Sequence, residues 1–170
     1  DAVPLLLEGG AGGPGDGGGD APAVGEAPVR RIDDGVRLLL EEVPGHGAFR
    51  ALRELKGIRV DLRYASPNNF VGADLYAPFD CAWLHRDGAE RLEAAVAWLA
   101  AHGGGARLLV LDALRPQRVQ QRLWHTLTPE LRAYLADPRL GSIHSFGMAV
   151  DVTLQDAQGR ELDMGTPFDD

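Results

Sequence analysis

The stretch from Ser142 to Leu154 constrains the fold more than any other part of the chain. It reads Ser-x-His-x-x-Gly-x-Ala-x-Asp and then continues as an apolar, strand-like Val-Thr-Leu. In a regular strand, the odd spacing of His144 and Asp151 would place their side chains on opposite faces of the sheet. The chain must therefore bend between them if the two residues act together, and Gly147 is the residue that permits a bend.

His144 and Asp151 carry side chains that bind zinc well. A catalytic zinc site holds three protein ligands and keeps one position open for water. The pattern therefore predicts that His144 and Asp151 are two of the ligands of a catalytic zinc. The alternative is a loop histidine followed by a strand-end carboxylate, which is the more common situation for such a pair taken alone. The neighbouring motifs favour the metal.

A second motif places an arginine at a corner of the chain. The apolar run 108–111 predicts a strand, and Pro116 fits the first turn of a helix that continues through Leu123. Arg115 then lies between strand and helix, where its guanidinium can project into a cleft and stabilise a developing oxyanion. The alternative, equally consistent with the sequence, is that Arg115 pairs with Asp112 to brace the turn.

Two further motifs flank these. Alternating apolar positions from Ile58 to Tyr64 predict a strand, and a turn cluster rich in Pro and Asn follows it. Near the end of the chain, 163–169 follows a predicted hairpin whose turn is Gln155 to Arg160. Asp169 adds one more carboxylate there.

The four motifs occur in a fixed order. They are Asp-Leu-Arg-Tyr with Asn-Phe-x-Gly at 61–72, Asp-x-x-Arg-Pro at 112–116, the His and Asp motif at 142–151, and Met-Gly-x-x-Phe-Asp at 164–169. In this order and spacing they resemble the zinc D-alanyl-D-alanine dipeptidases of the vancomycin-resistance type, from about Gly35 to the last residue. The resemblance implies an α+β fold with a small, mostly antiparallel sheet flanked by helices.

The resemblance also implies a function and a set of site residues. The reaction would be zinc-dependent hydrolysis of the D-alanyl-D-alanine dipeptide, with one Zn²⁺ per chain in a complete enzyme. His144 and Asp151 would be zinc ligands, and Arg115 would stabilise the tetrahedral intermediate. The remaining implied residues line the dipeptide pocket: Tyr64, Ser142 and Asp169.

The sequence departs from the family at one point. Members of the family continue to a Glu-x-x-His element that supplies the general base and the third zinc ligand, and no Glu-x-x-His occurs in this sequence. We therefore expect this polypeptide, as a fragment or a truncated relative, to bind zinc weakly and to have little peptidase activity. The alternatives are a peptidoglycan D,D-carboxypeptidase or endopeptidase and a non-catalytic protein that binds cell-wall peptides.

The amino-terminal segment differs in composition from the rest. Between Glu8 and Pro28 the chain is mostly Gly, Ala, Pro and acidic residues, without an apolar period. Such a segment buries too little surface to offset the entropy of ordering it, so 1–30 is predicted to be a flexible tether and 31–170 the dipeptidase-like domain. The chain begins with Asp, and its apolar 3–7 is too short for a membrane span. The predicted location is the periplasm or cell envelope, with the cytoplasm as the alternative.

Charge and cysteine content exclude several classes of function. The formal net charge is −8 and no block of Lys and Arg occurs, so nothing favours nucleic acid or an anionic membrane as a partner. Cys81, the single cysteine, has no partner for an internal disulfide or a cysteine-based metal site and is expected to be a small buried residue. The sequence leaves the oligomeric state open.

Several local predictions complete the sequence-based description. A short amphipathic helix is expected around 49–55, and a helix capped by Asp87, with Glu90 in a capping box, is expected to end at the glycines 103–105. Another helix should begin at Thr128. We expect six of the larger apolar side chains to face the core: Leu131, Tyr134, Leu135, Trp83, Trp98 and Trp124.

Overall fold

The computed structural model describes residues 2–5 and 36–168 of the chain. Seven strands and two α-helices occur in these ranges, joined by turns and short 3₁₀ helices. In chain order the elements are β1 (Ala2–Leu5), β2 (Val36–Leu39), β3 (Phe49–Ala51), β4 (Ile58–Val60), β5 (Trp83–His85), α1 (Arg86–His102), β6 (Arg107–Asp112), α2 (Gln117–Thr126) and β7 (Asp151–Gln155).

The strands form three small sheets. β1 pairs with β2 and β3 pairs with β5, both antiparallel, and the third sheet has the order β4-β6-β7. In that sheet β6 is parallel to β4 and antiparallel to β7. A shift in register between Val110 and Asp112 brings Asp112 opposite Asp151. The α+β class with small, mostly antiparallel sheets is therefore confirmed.

The main core surrounds β6. Its four apolar residues 108–111 are all buried because β6 is the central strand of its sheet and packs against α1. The rest of the core comes from both helices, from β5 and from the segments before it, and its largest fully buried side chains include Leu52, Tyr64, Tyr76, Leu84 and Leu123. Cys81 is fully buried, as predicted, and burial raises the pKa of its thiol to about 12.

Helix α1 begins in a different way from the prediction. The side chain of His85, not that of Asp87, caps the helix, because the Nδ1 atom of His85 accepts a hydrogen bond from the backbone N–H of Asp87 at 3.3 Å. The helix ends at Gly103, as the run of glycines predicts. The backbone N–H of Gly103 donates to the carbonyl of Leu99 at 2.6 Å and closes the last turn.

Two predictions of local structure were wrong or too long. The segment 49–55 is β3 followed by a 3₁₀ turn over Leu52–Glu54, because Phe49–Ala51 pairs with β5 and a helix would leave β5 without that partner. The strand expected from Ile58 to Tyr64 ends at Val60, since the chain turns into a 3₁₀ helix over Arg63–Ala65.

The predicted helix beginning at Thr128 is only a 3₁₀ turn over Leu131–Tyr134. Two side chains that we expected in the core there are exposed, with exposed fractions of 49% for Leu131 and 89% for Tyr134. Trp98 was also expected in the core, but it is 63% exposed on α1, where it stacks on His102. An apolar period alone does not tell a buried face from one that lines an open cavity.

Parts of two predictions lie outside the described residues. Ala2–Leu5 forms β1, whereas most of the predicted tether at 1–30 is not described, and neither is Asp169. The turn of the predicted hairpin is present, because Gln155 bridges to Glu161 and the backbone N–H of Asp156 donates to the carbonyl of Arg160. Within the ranges described, none of the helices is long and apolar enough to cross a membrane.

Candidate active site

A sharp bend brings the His and Asp of the central motif together. Ser142 begins a 3₁₀ turn over Ile143–Phe146, and its Oγ atom accepts a hydrogen bond from the backbone N–H of His144 at 3.3 Å. Gly147 ends the turn in the left-handed region, with a φ of 66°. A Cβ atom at this position would lie 2.7 Å from Cε1 of Phe49, so glycine is required by contact as well as by conformation. The predicted bend at Gly147 is confirmed.

The bend places the two predicted zinc ligands side by side. Nε2 of His144 lies 3.4 Å from Oδ1 of Asp151. Two ligand atoms that bind zinc at ordinary bond lengths and tetrahedral angles are about 3.3 to 3.4 Å apart. The spacing of these two atoms therefore fits a shared zinc ion.

The other ring nitrogen of His144 supports the same arrangement. Nδ1 lies 3.0 Å from the backbone carbonyl oxygen of Ala113, and a carbonyl can only accept a hydrogen bond. Nδ1 therefore carries a proton, and Nε2, which faces Asp151, is the ring nitrogen left to bind a metal ion. Two electron-rich atoms at this distance are favourable only with a cation between them, either a proton or a metal ion.

Asp112 is a third carboxylate close to this pair, but its position does not suit a metal ligand. Asp112, His144 and Asp151 offer ligand atoms within 4.8 Å of one another. However, both oxygens of Asp112 already accept hydrogen bonds, and Asp112 is fully buried on the Nδ1 side of His144, at 3.5 Å. Among the residues that the structure describes, His144 and Asp151 are thus the two side chains that fit zinc.

Arg115 lies beside the pair and is 5% exposed. Its Nε and Nη2 atoms donate to Oδ2 of Asp112 at 2.8 and 2.5 Å, and Nη1 donates to Oε1 of Gln120 at 3.0 Å. Nη2 also lies 3.4 Å from Oδ2 of Asp151. Arg115 therefore braces the turn through Asp112 and also reaches the site. The two alternatives from the sequence, a pair with Asp112 and a guanidinium at the cleft, are both present.

The charges of the site are fixed by these contacts. Burial lowers the pKa of Arg115, but Asp112, Tyr76 and Tyr64 together raise it by more, so the guanidinium stays charged. Burial raises the pKa of Asp151, but the neighbouring side chains of His144 and Arg115 lower it by more, to below its usual range. Asp151 is therefore an anion at neutral pH, as a metal ligand must be.

Tyr64 and Ser142, which the sequence places in the substrate pocket, are both at the site. The ring of Tyr64 is buried under Arg115, whose guanidinium carbon lies 5.3 Å from the ring centre. Phe168 packs against the same ring, so the chain reaches the site just before Asp169. Asp169 itself lies outside the described residues, and its predicted role stays a prediction.

A cavity of about 900 Å³ connects these residues. Its polar lining residues include Arg115, Ser142, His144 and Asp151. The apolar and aromatic lining residues include Phe70, Leu127, Leu131, Tyr134, Leu135 and Ile143. The exposed Leu131 and Tyr134 are thus among the lining residues of this cavity.

The sequence did not predict two buried polar side chains that hold the site residues in place. Tyr76 and Gln120 are fully buried, and both hydrogen-bond to the Asp112 and Arg115 pair. For Gln120 a signal existed, since it lies three residues before the buried Leu123 and so shares the apolar face of α2. For Tyr76 no comparable signal exists.

The comparisons with known proteins agree with this geometry. A family model described as D-ala-D-ala dipeptidase, a peptidase family, matches residues 49–170. The D-alanyl-D-alanine dipeptidase of Escherichia coli (strain K12) is 37% identical over 113 residues, which is 66% of this chain and 56% of that protein. The chain thus spans only a little more than half the length of this relative. With its family match, its α+β fold and its His and Asp pair, the chain belongs to the D-ala-D-ala dipeptidase family of peptidases.

Proposed function

We propose that the site performs zinc-dependent hydrolysis of the D-alanyl-D-alanine dipeptide, as a metallopeptidase of cell-wall peptide metabolism that takes part in glycopeptide resistance. The observation that carries the proposal is the 3.4 Å spacing of Nε2 of His144 and Oδ1 of Asp151 beside a buried, charged Arg115. The family match and the E. coli dipeptidase support it. The proposed location is the periplasm or cell envelope.

His144 and Asp151 would hold the zinc ion. When bound, zinc supplies Lewis-acid chemistry, namely activation of a water molecule and polarisation of the scissile carbonyl. Asp151 contributes the negative charge of the ligand set, and the contact of Nδ1 of His144 with the Ala113 carbonyl keeps Nε2 available. Two ligands alone bind zinc weakly, so the ligand set found among the described residues predicts that zinc binding needs a high zinc concentration.

Arg115 stabilises the negative charge that develops on the carbonyl oxygen during attack. Four of its five N–H groups have acceptors on Asp112, Gln120 and Asp151, and one N–H of Nη1 has no acceptor within the described part of the chain. Because Asp112 and Gln120 hold the guanidinium, this donor is oriented before substrate binds. A donor oriented in advance in a buried site costs no reorganisation during the reaction.

The cavity places limits on the substrate. Its volume of about 900 Å³ accommodates a small ligand, and its apolar wall suits the methyl groups of alanine. Tyr64 and Ser142 line the pocket for the dipeptide. We propose that Asp169 receives the free ammonium group of the substrate by charge complementarity.

Zinc binding tests the metal part of the proposal. His144→Ala and Asp151→Ala should each weaken zinc binding by at least tenfold in a titration against a chelating dye. His102→Ala is the matched control, because His102 is an exposed histidine on α1 that contacts Trp98. Zinc binding that is the same in all four proteins would show that the ion, if it binds, binds elsewhere.

Substrate hydrolysis tests the reaction. Release of D-alanine from D-alanyl-D-alanine and from a peptidoglycan stem pentapeptide should be compared, in this chain and in the longest protein that its gene encodes. We expect the dipeptide to be the better substrate and zinc to be required. Preference for the pentapeptide would favour a D,D-carboxypeptidase, and binding of either peptide without hydrolysis in any form of the protein would favour a binding protein.

A further inference from the structure

We infer that Asp112 is a positioning residue that fixes two reactive groups at once, the guanidinium of Arg115 and the ring proton of His144. Asp112 is fully buried at the end of β6 and does not itself line the cavity. The effect on Arg115 rests on the proposed function, whereas the effect on His144 concerns zinc binding and can be measured without substrate.

One carboxylate oxygen of Asp112 holds the backbone N–H of Ala113, the residue whose carbonyl meets His144. Oδ1 accepts hydrogen bonds from the backbone N–H of Ala113, at 2.9 Å, and from the hydroxyl of Tyr76. The carbonyl of Ala113 in turn accepts the proton of Nδ1 of His144 at 3.0 Å. The carboxylate of Asp112 also lies 3.5 Å from Nδ1 itself. Asp112 therefore favours the proton on Nδ1, directly by its charge and through the position of Ala113, and leaves Nε2 free for a metal.

The other oxygen of Asp112 holds Arg115. Oδ2 accepts from Nε and Nη2, and on the far side of the guanidinium Gln120 accepts from Nη1 while its own Nε2 donates to the carbonyl of Ala136 at 2.7 Å. Ala136 lines the cavity. Asp112 and Gln120 thus hold Arg115 from two sides and tie its position to the wall of the substrate cavity.

Because the two oxygens of Asp112 bind different groups, Asp112→Asn is an informative change. Asparagine has the same shape but only one accepting oxygen, and its amide nitrogen donates. The oxygen should face Arg115, since a donor there would oppose two N–H groups of a cation. The amide nitrogen then faces the N–H of Ala113, which loses its acceptor, while the hydroxyl of Tyr76 can rotate to accept.

The first measurement is the tautomer of His144. In the metal-free wild-type chain at mildly alkaline pH, nitrogen-15 NMR should show the proton of the neutral ring on Nδ1, assigned by its loss in His144→Ala. In Asp112→Asn the proton should be shared between Nδ1 and Nε2. A wild-type ring protonated on Nε2 overturns the inference, and this observation does not depend on the folding of any variant at position 112.

The second measurement is zinc affinity, with Tyr76→Phe as the matched control. Tyr76→Phe removes a hydrogen bond from the same carboxylate but leaves the contacts to Ala113 and Arg115 in place. Asp112→Asn should weaken zinc binding by about tenfold or more, and Tyr76→Phe by far less, even if both lower the melting temperature. Equal zinc affinity in Asp112→Asn and wild type would overturn the inference.

The outcomes for the inference and for the proposed function differ. If zinc binding and the tautomer respond as described but no form of the protein hydrolyses the dipeptide, only the proposed function fails. In a form that does hydrolyse it, Asp112→Asn should lower kcat by about tenfold or more with a smaller change in KM, as expected for a misplaced Arg115. Full activity, zinc affinity and tautomer in Asp112→Asn would leave the proposed function standing and remove the inference.

Discussion

At the scale of single residues, the buried pair of Asp112 and Arg115 is the feature on which most of the site depends. Both side chains are almost completely withdrawn from water, and each has further hydrogen-bond partners. Such a pair contributes little net stability compared with apolar side chains of the same size, but removal of one partner leaves an uncompensated charge. The pair therefore fixes the position of the Arg115 guanidinium rather than adding stability, and replacement of either residue should destabilise the fold.

Arg115→Ala should lower the free energy of unfolding by about 3 to 5 kcal/mol, because it leaves the charge of Asp112 buried without its cation. The double variant Arg115→Ala, Asp112→Asn should recover part of this loss, since the remaining amide is neutral. Denaturant unfolding of the two variants and of the wild type measures the difference. A loss smaller than about 1 kcal/mol in Arg115→Ala would mean that water reaches Asp112 and that the pair is not sealed.

Gly147→Ala should destabilise the chain more than the same change at Gly104. Both glycines have positive φ, 66° and 60°, so both changes carry the backbone strain of about 1 kcal/mol. Only at Gly147 does the new methyl group meet a neighbour, Cε1 of Phe49 at 2.7 Å, whereas nothing lies within 4 Å at Gly104. We expect an additional loss of about 1 to 3 kcal/mol at Gly147.

The same pair of variants tests the site as well as stability. Because Gly147 ends the bend between His144 and Asp151, its replacement should also weaken zinc binding, and the replacement of Gly104 should not. Thermal unfolding and a zinc titration on both proteins give the two readouts. Identical stability and identical zinc affinity in the two variants would show that Phe49 moves aside without effect on the bend.

At the scale of elements, the loop from Ser66 to Ala73 shows how one side chain organises a segment without regular structure. The amide nitrogen of Asn69 lies 2.6 to 3.0 Å from the carbonyl oxygens of Arg63, Ser66 and Ala73. Its amide oxygen accepts from the backbone N–H groups of Val71 and Gly72. The loop also carries Phe70 at the wall of the cavity.

Asn69→Ala should cost about 1 to 3 kcal/mol of stability, because several backbone groups of the loop lose their hydrogen-bond partner together. Asn68→Ala is the matched control, since the side chain of the neighbouring Asn68 is exposed and makes none of these bonds. Limited proteolysis of the loop and thermal unfolding measure the effect. Equal protease resistance of the two variants would show that the loop is held by its other contacts.

Element boundaries were predicted well where local rules decide them and poorly where pairing decides them. The end of α1 at Gly103 and the start of α2 after Pro116 follow from the properties of glycine and proline. The segment 49–55, by contrast, is a strand and a turn because β5 lies next to it. A partner that is distant in the sequence leaves no periodic signal in the segment that it pairs with.

At the scale of the whole molecule, the acidic composition determines how stability depends on pH. Asp80, Asp137 and Asp156 each accept hydrogen bonds from a nearby arginine or its backbone, and the pKa of each lies below the ordinary value. For Asp80 burial raises the pKa, but Arg53 and the backbone N–H of Ala82 lower it by more. These carboxylates therefore favour the folded state when they are ionised.

The chain should lose stability as the pH falls below about 4, the ordinary pKa of aspartate. The sign follows from the lowered pKa: the stabilising contribution is complete above the pKa of the unfolded chain and disappears as the pH falls through the pKa of the folded chain. Asp80→Asn should be less stable than the wild type near neutral pH and equally stable in acid. Arg53→Gln should show the same convergence, and a gap that does not change with pH would contradict this assignment.

The sequence by itself determined the parts of the site that depend on neighbouring residues. The spacing of His144, Gly147 and Asp151 required a bend, and the structure contains it, because the alternation of side chains and the freedom of glycine are local properties. The corner at Arg115 was predicted for the same reason. The family resemblance added the expectations for Tyr64 and Ser142, and both lie at the cavity.

Only the tertiary structure decided how these pieces work together. Tyr76, Asp112 and Gln120 are separated by 36 and 8 residues, and their contacts exist because α2, β6 and the segment before β5 pack around one buried carboxylate. Packing also turned Leu131 and Tyr134 from expected core residues into a cavity wall. Burial and long-range contact are properties of the folded chain, and no local pattern encodes which apolar face meets the core and which meets a cavity.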